Sequence, residues 1–207
     1  MIKSKLISKA TFYNKSGNKD IASFTEVASM NQTHSNVVLE IERSGVYDAD
    51  ALITTKKNLL LVVSTADCMP VVISDNKRIG IIHAGWKGVE NKIFYNAIKD
   101  FDKNKLKVSI GPHAKACCYE IQDDLSQKFQ DYTIEREEKK FLNLSGDIIL
   151  FCKKNNIDLE IANECTIGDK MFHSYRRDKT SLRQSASSTA VIFCLSLSAA
   201  RMSLISI

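Results

Sequence analysis

The chain has 207 residues, 44% hydrophobic and 26% charged, enough for one domain with a sizeable core. Its net charge of +5 suits an anionic substrate or a phosphate group, and no basic stripe interleaved with aromatics points to nucleic acid. The N-terminal MIKSKLISKATFYNKSG lacks an apolar leader, and no stretch nears the roughly 20 apolar residues of a membrane helix. The expectation is therefore a cytoplasmic protein whose six cysteines are free thiols or metal ligands rather than disulfides.

Residues 8–14 read as a first strand, with a turn at SGNKD after it. VVLEIE (37–42) is β-rich, and the loop RSGVYDAD leads from it into ALITT (51–55). LLLVVSTADC (59–68) is a continuous apolar run, which predicts a strand buried on both faces. PVVIS (70–74) and RIGIIHA (78–84) flank DNK and predict a hairpin. From Gly88 the period lengthens to about 3.6. Val89, Ile93, Ala97, Ile98 and Phe101 then share one face, predicting a helix over 89–102. LKVSIGP (106–112) is a strand and DLSQKFQDY (124–132) a helix. FLNLSGDIILFCKKNNI (141–157) holds a further helix with Ser145 as its N-cap. DLEIANE (158–164) is a strand, MFHSYRRDKTSLRQSA (171–186) is polar and basic, and TAVIFCL (189–195) closes the series. This mixture predicts an α+β fold of mixed β-sheets flanked by helices, as a single domain over 1–207.

Chemistry concentrates around the predicted hairpin. Cys68 and His83 lie at similar distances from its turn, so antiparallel pairing sets them across from or diagonal to each other. Such neighbours have Cβ atoms about 5–8 Å apart. That suits a shared zinc ion or a thiolate–imidazole pair, and spacing does not choose between them. His34, in NQTHSNVV, sits at a loop edge and is a third ligand type. Two histidines and a cysteine leave one tetrahedral position open, as catalytic zinc sites do. Each residue alone also has an ordinary use, the cysteine as a small hydrophobe and the histidines as hydrogen-bonded side chains.

QTHS (32–35), DALIT (50–54), TADCMPVVISD (65–75), IIHAGWKG (81–88), IGPHAKACCYEI (110–121), ECT (164–166) and FHSYRR (172–177) occur in that order. Together they resemble the laccase-domain, or polyphenol-oxidase-like, family of purine nucleoside phosphorylases, over roughly residues 30–193. The resemblance implies zinc held by His34, Cys68 and His83, and phosphorolysis of adenosine, inosine and methylthioadenosine, with adenosine deamination besides. It also implies a domain of the cysteine-hydrolase-like, toxin deamidase-like type. The partners implied are a purine nucleoside and phosphate. The older family name asserts copper-dependent oxidation of phenols. Four histidines, His34, His83, His113 and His173, are too few for a blue-copper site plus a trinuclear cluster. Copper in the zinc site remains an alternative, because copper(II) outcompetes zinc at most such sites.

In this light Arg176 and Arg177, with Arg183 close behind, are candidate phosphate ligands through their planar forks. Lys87 is a second candidate, as are backbone N–H groups near Gly85 and Gly88 at a helix start. Cys118 and Tyr119 match the family's CYE segment and are expected near the pocket, while Tyr175 is placed to stack on or bond the nucleoside. Gly111-Pro112 is expected to bring backbone close to substrate. For a proton shuttle, Asp67 is a candidate by adjacency and Glu120 an alternative. Trp86 is read as a packing anchor, His113 and His173 as incidental, and Cys117, Cys152, Cys165 and Cys194 as core residues.

The chain departs from the family in a shortened N-terminal region, in having no Asn-Arg pair, and in its ending AARMSLISI. Two other functions stay open: a Cys–His hydrolase with Cys68 as nucleophile and His83 as base, and a non-catalytic zinc- or thiol-binding module.

Overall fold

In the computed structural model, which describes residues 1–17, 21, 23–179 and 181–189, two six-stranded sheets pack face to face. The first contains, in spatial order, β1 (Ile2–Lys3), β2 (Thr11–Phe12), β15 (Gln184–Thr189), β7 (Leu60–Thr65), β3 (Val27–Met30) and β5 (Gly45–Tyr47). The second contains β14 (Asp158–Ile161), β10 (Lys107–Ile110), β8 (Met69–Ser74), β9 (Ile79–Ala84), β6 (Ala51–Thr54) and β4 (Val38–Glu40). A small third sheet joins β11 (Glu120–Ile121), β13 (Lys139–Leu142) and β12 (Thr133–Arg136). The helices are short: α1 (Trp86–Glu90), α2 (Ile93–Ala97), α3 (Asp123–Lys128), α4 (Gly146–Lys154) and α5 (Tyr175–Asp178). The expected α+β class holds, and no described helix is long and apolar enough to cross a membrane.

The second sheet is the middle layer, and its side-chain alternation shows why. Val71, Ile73 and Ile82 face a core completed by Val89, Ile93, Phe94 and Ile148 from the helices. Val72, Ile79, Ile81 and Leu52 face the opposite way, onto Leu61, Val63, Phe12 and Ala28 of the first sheet. Both faces are dry over most of their length, so β6, β8 and β9 are nearly continuous apolar runs whose polar residues, Thr54, Ser74 and His83, fall at or next to strand ends. The predicted hairpin forms with Pro70 opposite His83 and Met69 opposite Ala84.

Several boundaries differ from the sequence reading. The run 59–68 is strand only to Thr65; the chain then bends, with Asp67 in the left-handed region at φ 83°. The helix expected over 89–102 breaks at Lys92, φ 63°, into α1 and α2, although Val89, Ile93, Ala97, Ile98 and Phe101 all reach the core as the period requires. Ser145 does precede α4, but its hydroxyl makes no cap; it donates to Asn143 and lies 3.3 Å from the His113 Nε2. The closing strand is observed over Gln184–Thr189, and its expected continuation to 195 lies outside the described residues.

His113 is completely buried, with its Nδ1 donating to the Gly111 carbonyl at 2.8 Å. Burial disfavours the imidazolium and lowers its pKa from 6.5 to about 4, with Lys115 adding to the effect against the Gly111 hydrogen bond. Between those values the unfolded chain binds a proton that the folded chain refuses. The resulting stability is complete above pH 6.5 and falls by about 3 kcal/mol as the pH drops through the window to about 4. Urea denaturation from pH 7 to 4 should show this slope, and a His113→Gln chain should lack it; equal slopes would refute the assignment.

Candidate active site

His83, Cys68 and His34 converge because three separate backbone devices aim them at one point. His83 stands near the end of β9, almost fully buried. The β6–β9 register pairs Ala51 with Ile82, which brings the preceding residue, Asp50, beside His83. The His83 backbone N–H donates to the Asp50 carbonyl at 2.8 Å, and its Nδ1 donates to Asp50 Oδ1 at 2.7 Å. Nε2 of His83 is thereby the nitrogen left to act as a ligand.

Asp50, itself 0% exposed, also organises the loop that carries His34. Its carboxylate accepts backbone N–H bonds from Thr33 (3.2 Å), His34 (3.1 Å) and Ser35 (2.7 Å), and the Ser35 hydroxyl at 2.6 Å. His34 adopts φ 61°, a left-handed conformation that a non-glycine residue holds only when its surroundings demand it. Gln32 fixes the start of the loop: its amide donates to the Ser64 carbonyl at 2.7 Å and accepts the Ser64 N–H at 2.9 Å.

Cys68 follows the bend at Asp67, whose carboxylate accepts the Thr166 hydroxyl (2.8 Å), the Ser174 hydroxyl (3.0 Å) and the Arg176 N–H (2.7 Å). Asp67 is thus engaged in tying distant segments together, which explains the break in the expected strand. The Cys68 Sγ lies 3.7 Å from the His34 Nε2, and the His34 and His83 rings meet edge-on at 4.7 Å.

Electrostatics follow from this packing. Burial raises the Asp50 pKa, but hydrogen bonds from His83 and Ser35 outweigh it and hold the carboxyl well below its usual range. Burial opposes the His83 imidazolium, yet Asp50 and the Cys68 sulfur push it up to about 9. Burial likewise raises the Cys68 thiol, and the two imidazoles overcome it, bringing it down to about 7.

The ligand atoms of His34, Cys68 and His83 all lie within 4.8 Å of one another. Donors bound at about 2.0–2.3 Å around a tetrahedral ion stand about 3.5 Å apart, close to the observed 3.7 Å between sulfur and nitrogen. One thiolate and two imidazoles, with a carboxylate behind one of them, fit a borderline-soft divalent cation.

These donors open onto a cavity of about 790 Å³, also lined by Trp86, Tyr119, Tyr175, Arg176 and Arg183. Arg176 sits 4.8 Å over the Tyr119 ring and donates to the Glu120 carbonyl at 2.8 Å. Arg183 lies 5.9 Å from the exposed Tyr175 ring.

Other sequence candidates lie elsewhere. Arg177 donates to the carbonyls of Thr166, Ile167, Asp169 and Phe172 and pairs with Asp178 at 2.7 Å, so its fork clamps a loop rather than lining the cavity. Lys87 is exposed, 5.6 Å from the Trp86 ring, and is not a lining residue. Glu120 is paired with Lys139 at 3.1 Å, outside the lining. Cys118 is likewise outside it, clustered with Cys117 and Cys165. Cys152 is buried as expected, whereas Cys117 is exposed, contrary to its expected core position, and Cys194 lies outside the described residues. His113 and His173 do not line the cavity. Gly111 approaches the Phe12 ring, not the cavity; a Cβ there would stand 2.3 Å from that ring. The helix near Gly85 and Gly88 begins at Trp86 and has only five residues, too short for an appreciable dipole at its N-terminus.

Asp50 and Gln32 are the residues that sequence reasoning left without a role. The available signal for Asp50 was its place at the head of DALIT, directly before a predicted strand; that this strand pairs with the histidine-bearing one is visible only in the fold.

Residues 14–191 match the family described as multi-copper polyphenol oxidoreductase laccase, and the chain belongs to that family. Among its curated relatives is a purine nucleoside phosphorylase of Clostridium acetobutylicum, 36% identical over 177 residues, spanning 77% of this chain and 75% of the relative. A purine nucleoside phosphorylase of Aquifex aeolicus is 31% identical over 168 residues, spanning 78% and 81%. The fold is shared with the hypothetical protein YfiH of Bacillus licheniformis (TM-score 0.73, 23% identity, covering 83% of this chain and 78% of that one). Protein NMB0706 of Neisseria meningitidis is similar too (TM-score 0.73, 25% identity, covering 84% and 78%).

Proposed function

We propose that this chain is a zinc-dependent purine nucleoside phosphorylase that cleaves adenosine, inosine and methylthioadenosine with phosphate, and that it deaminates adenosine as a side reaction. The purine nucleoside phosphorylases among its relatives support the reaction class. The observation that carries the reading is that His34, Cys68, His83 and Arg176 border one cavity, whose size suits a small-molecule ligand.

In phosphorolysis the C1′–N9 bond of adenosine breaks, a phosphate oxygen bonds C1′, and N9 gains a proton, giving adenine and ribose 1-phosphate. Deamination consumes water and releases inosine and ammonia. A zinc ion held by His34, Cys68 and His83 would supply Lewis acidity to an oxygen in this cavity. Arg176 supplies a cationic fork for phosphate, kept in place by its backbone bond to Asp67 and its stacking on Tyr119. The exposed Tyr175 offers a ring face to the base, while the buried Tyr119 lines the cavity beneath Arg176. Asp50 keeps the His83 Nδ1 protonated and so directs Nε2 to the metal. The reading takes the 207 residues as one catalytic unit working in the cytoplasm; the described cysteines are free thiols, as a reducing compartment keeps them.

The test is incubation with adenosine, with and without phosphate, and separation of the products. Adenine and ribose 1-phosphate should appear only with phosphate, and a smaller yield of inosine in both. Absence of phosphate-dependent adenine from zinc-loaded protein would sink the proposal.

One observation favours a second reading. Cys68, His83 and Asp50 are connected in the order thiol, imidazole, carboxylate, the arrangement of a cysteine hydrolase. It would accord with a cysteine-hydrolase-like, toxin deamidase-like fold. Alkylation of Cys68 separates the two: bound zinc blocks it in the first reading, and it proceeds alike with and without zinc in the second.

A further inference from the structure

A second group of soft ligands lies outside the cavity lining. The sulfurs of Cys117, Cys118 and Cys165 are within 4.8 Å of one another, and all three are free thiols. Two chain segments bring them together. The turn at 115–118 is closed by bonds from the Cys118 and Tyr119 N–H groups to the Lys115 carbonyl, at 2.9 and 2.8 Å. The segment at 165–169 is closed by the Asp169 N–H on the Cys165 carbonyl at 2.8 Å. A bridge between His113 and Cys165 joins the two segments, with the Thr166 N–H donating to the His113 carbonyl at 3.1 Å. Arg136 locks the turn from outside by donating to the carbonyls of Ala116 (2.7 Å) and Cys117 (3.2 Å).

Cys165 is buried, and its sulfur is hydrogen-bonded as well as packed. Its sulfur accepts backbone N–H bonds from Lys115, at 3.4 Å, and from Ile167 and Gly168. Converging amide donors stabilise charge on sulfur and orient it toward a shared ion. Three thiolates at about 2.3 Å from one ion stand about 3.8 Å apart, so a small closure of the cluster completes the geometry. No oxygen ligand belongs to the group, and sulfur alone selects thiophilic cations over magnesium or calcium. Exposed Cys117 leaves the ion a route in from solvent.

We infer that Cys117, Cys118 and Cys165 form a second metal site, one that takes a thiophilic d10 cation such as zinc(II). Binding releases the thiol protons to solvent. The site does not depend on the nucleoside reading, since it shares no ligand with His34, Cys68 and His83.

Zinc titration of the reduced, demetallated full chain against a chromogenic chelator tests this. Wild type should bind two zinc ions, Cys117→Ser/Cys118→Ser one, and His34→Ala/His83→Ala one. A single ion in wild type that is lost in the histidine variant and kept in the cysteine variant would overturn the second site and leave the first standing. A single ion with the opposite dependence would support the second site and overturn the first. Labelling the wild type with iodoacetamide needs no variant. Saturating zinc should protect Cys117, Cys118 and Cys165 as well as Cys68, read peptide by peptide. Full labelling of Cys117 and Cys118 while Cys68 is protected refutes the proposal.

Discussion

An Asp50→Asn chain should bind zinc at least 10–100-fold more weakly than wild type, the range seen when a partner behind a metal ligand is removed. It should also be less stable by about 3–5 kcal/mol, as when a buried ion pair loses one member. The reason is a mismatch of donors. Both Asp50 oxygens are surrounded by hydrogen-bond donors: Oδ1 by the His34 N–H and the His83 Nδ1, Oδ2 by the N–H groups of Thr33 and Ser35 and the Ser35 hydroxyl. An asparagine must turn its NH₂ toward one of these sets. Turned toward His83, it makes Nδ1 the acceptor and moves the ring proton to Nε2, which then cannot ligate. Turned toward Ser35, it opposes the backbone donors that hold the loop, and His34 loses the support for its left-handed conformation. Chelator competition and urea denaturation read the two effects separately. Wild-type zinc affinity in Asp50→Asn would falsify the role given to this carboxylate.

That carboxylate also marks how far the site could be read from the sequence. Cys68 and His83 were legible because a short polar turn between two apolar runs fixes a hairpin, and a hairpin fixes which residues meet. Asp50 belongs to a different pairing, β6 against β9, whose register no local signal announces. The same contrast runs through the fold. Strands β6, β8 and β9 are apolar on both faces and were read near their true bounds. The four-residue β12, exposed over most of its length, and the three-residue β5 carry no alternation to read. The break at Lys92 was hidden because the residues on either side keep helical spacing while one backbone angle, set by packing, turns left-handed. Singly, Cys117 and Cys165 looked like core residues and Cys118 like a pocket residue; only the bridge between His113 and Cys165 makes them neighbours.

Gly85→Ala should abolish tight zinc binding without straining the backbone. The residue lies at φ −77°, ψ 172°, an extended conformation open to alanine, so any effect belongs to the added methyl group. That methyl would stand 2.9 Å from the Cys68 Sγ and 2.9 Å from the His34 Cδ2. Non-bonded carbon contacts settle at about 3.5–4.0 Å, so the sulfur and the imidazole must each retreat by roughly 0.5–1 Å. A metal site tolerates deviations of only about 0.2 Å in its ligand distances. Zinc affinity should therefore fall at least as far as in Asp50→Asn, with a stability cost of about 1–3 kcal/mol for overpacking. Gly88→Ala is the matched control: its methyl would meet Ile93 at 3.2 Å and the backbone carbonyls of Ser35 and His83 at 3.5 and 3.6 Å, ordinary contact distances for the carbonyls, with none of the three donor side chains among its nearest neighbours. It should keep its zinc. Equal zinc affinity in Gly85→Ala and Gly88→Ala would mean that Cys68 and His34 do not share an ion across Gly85.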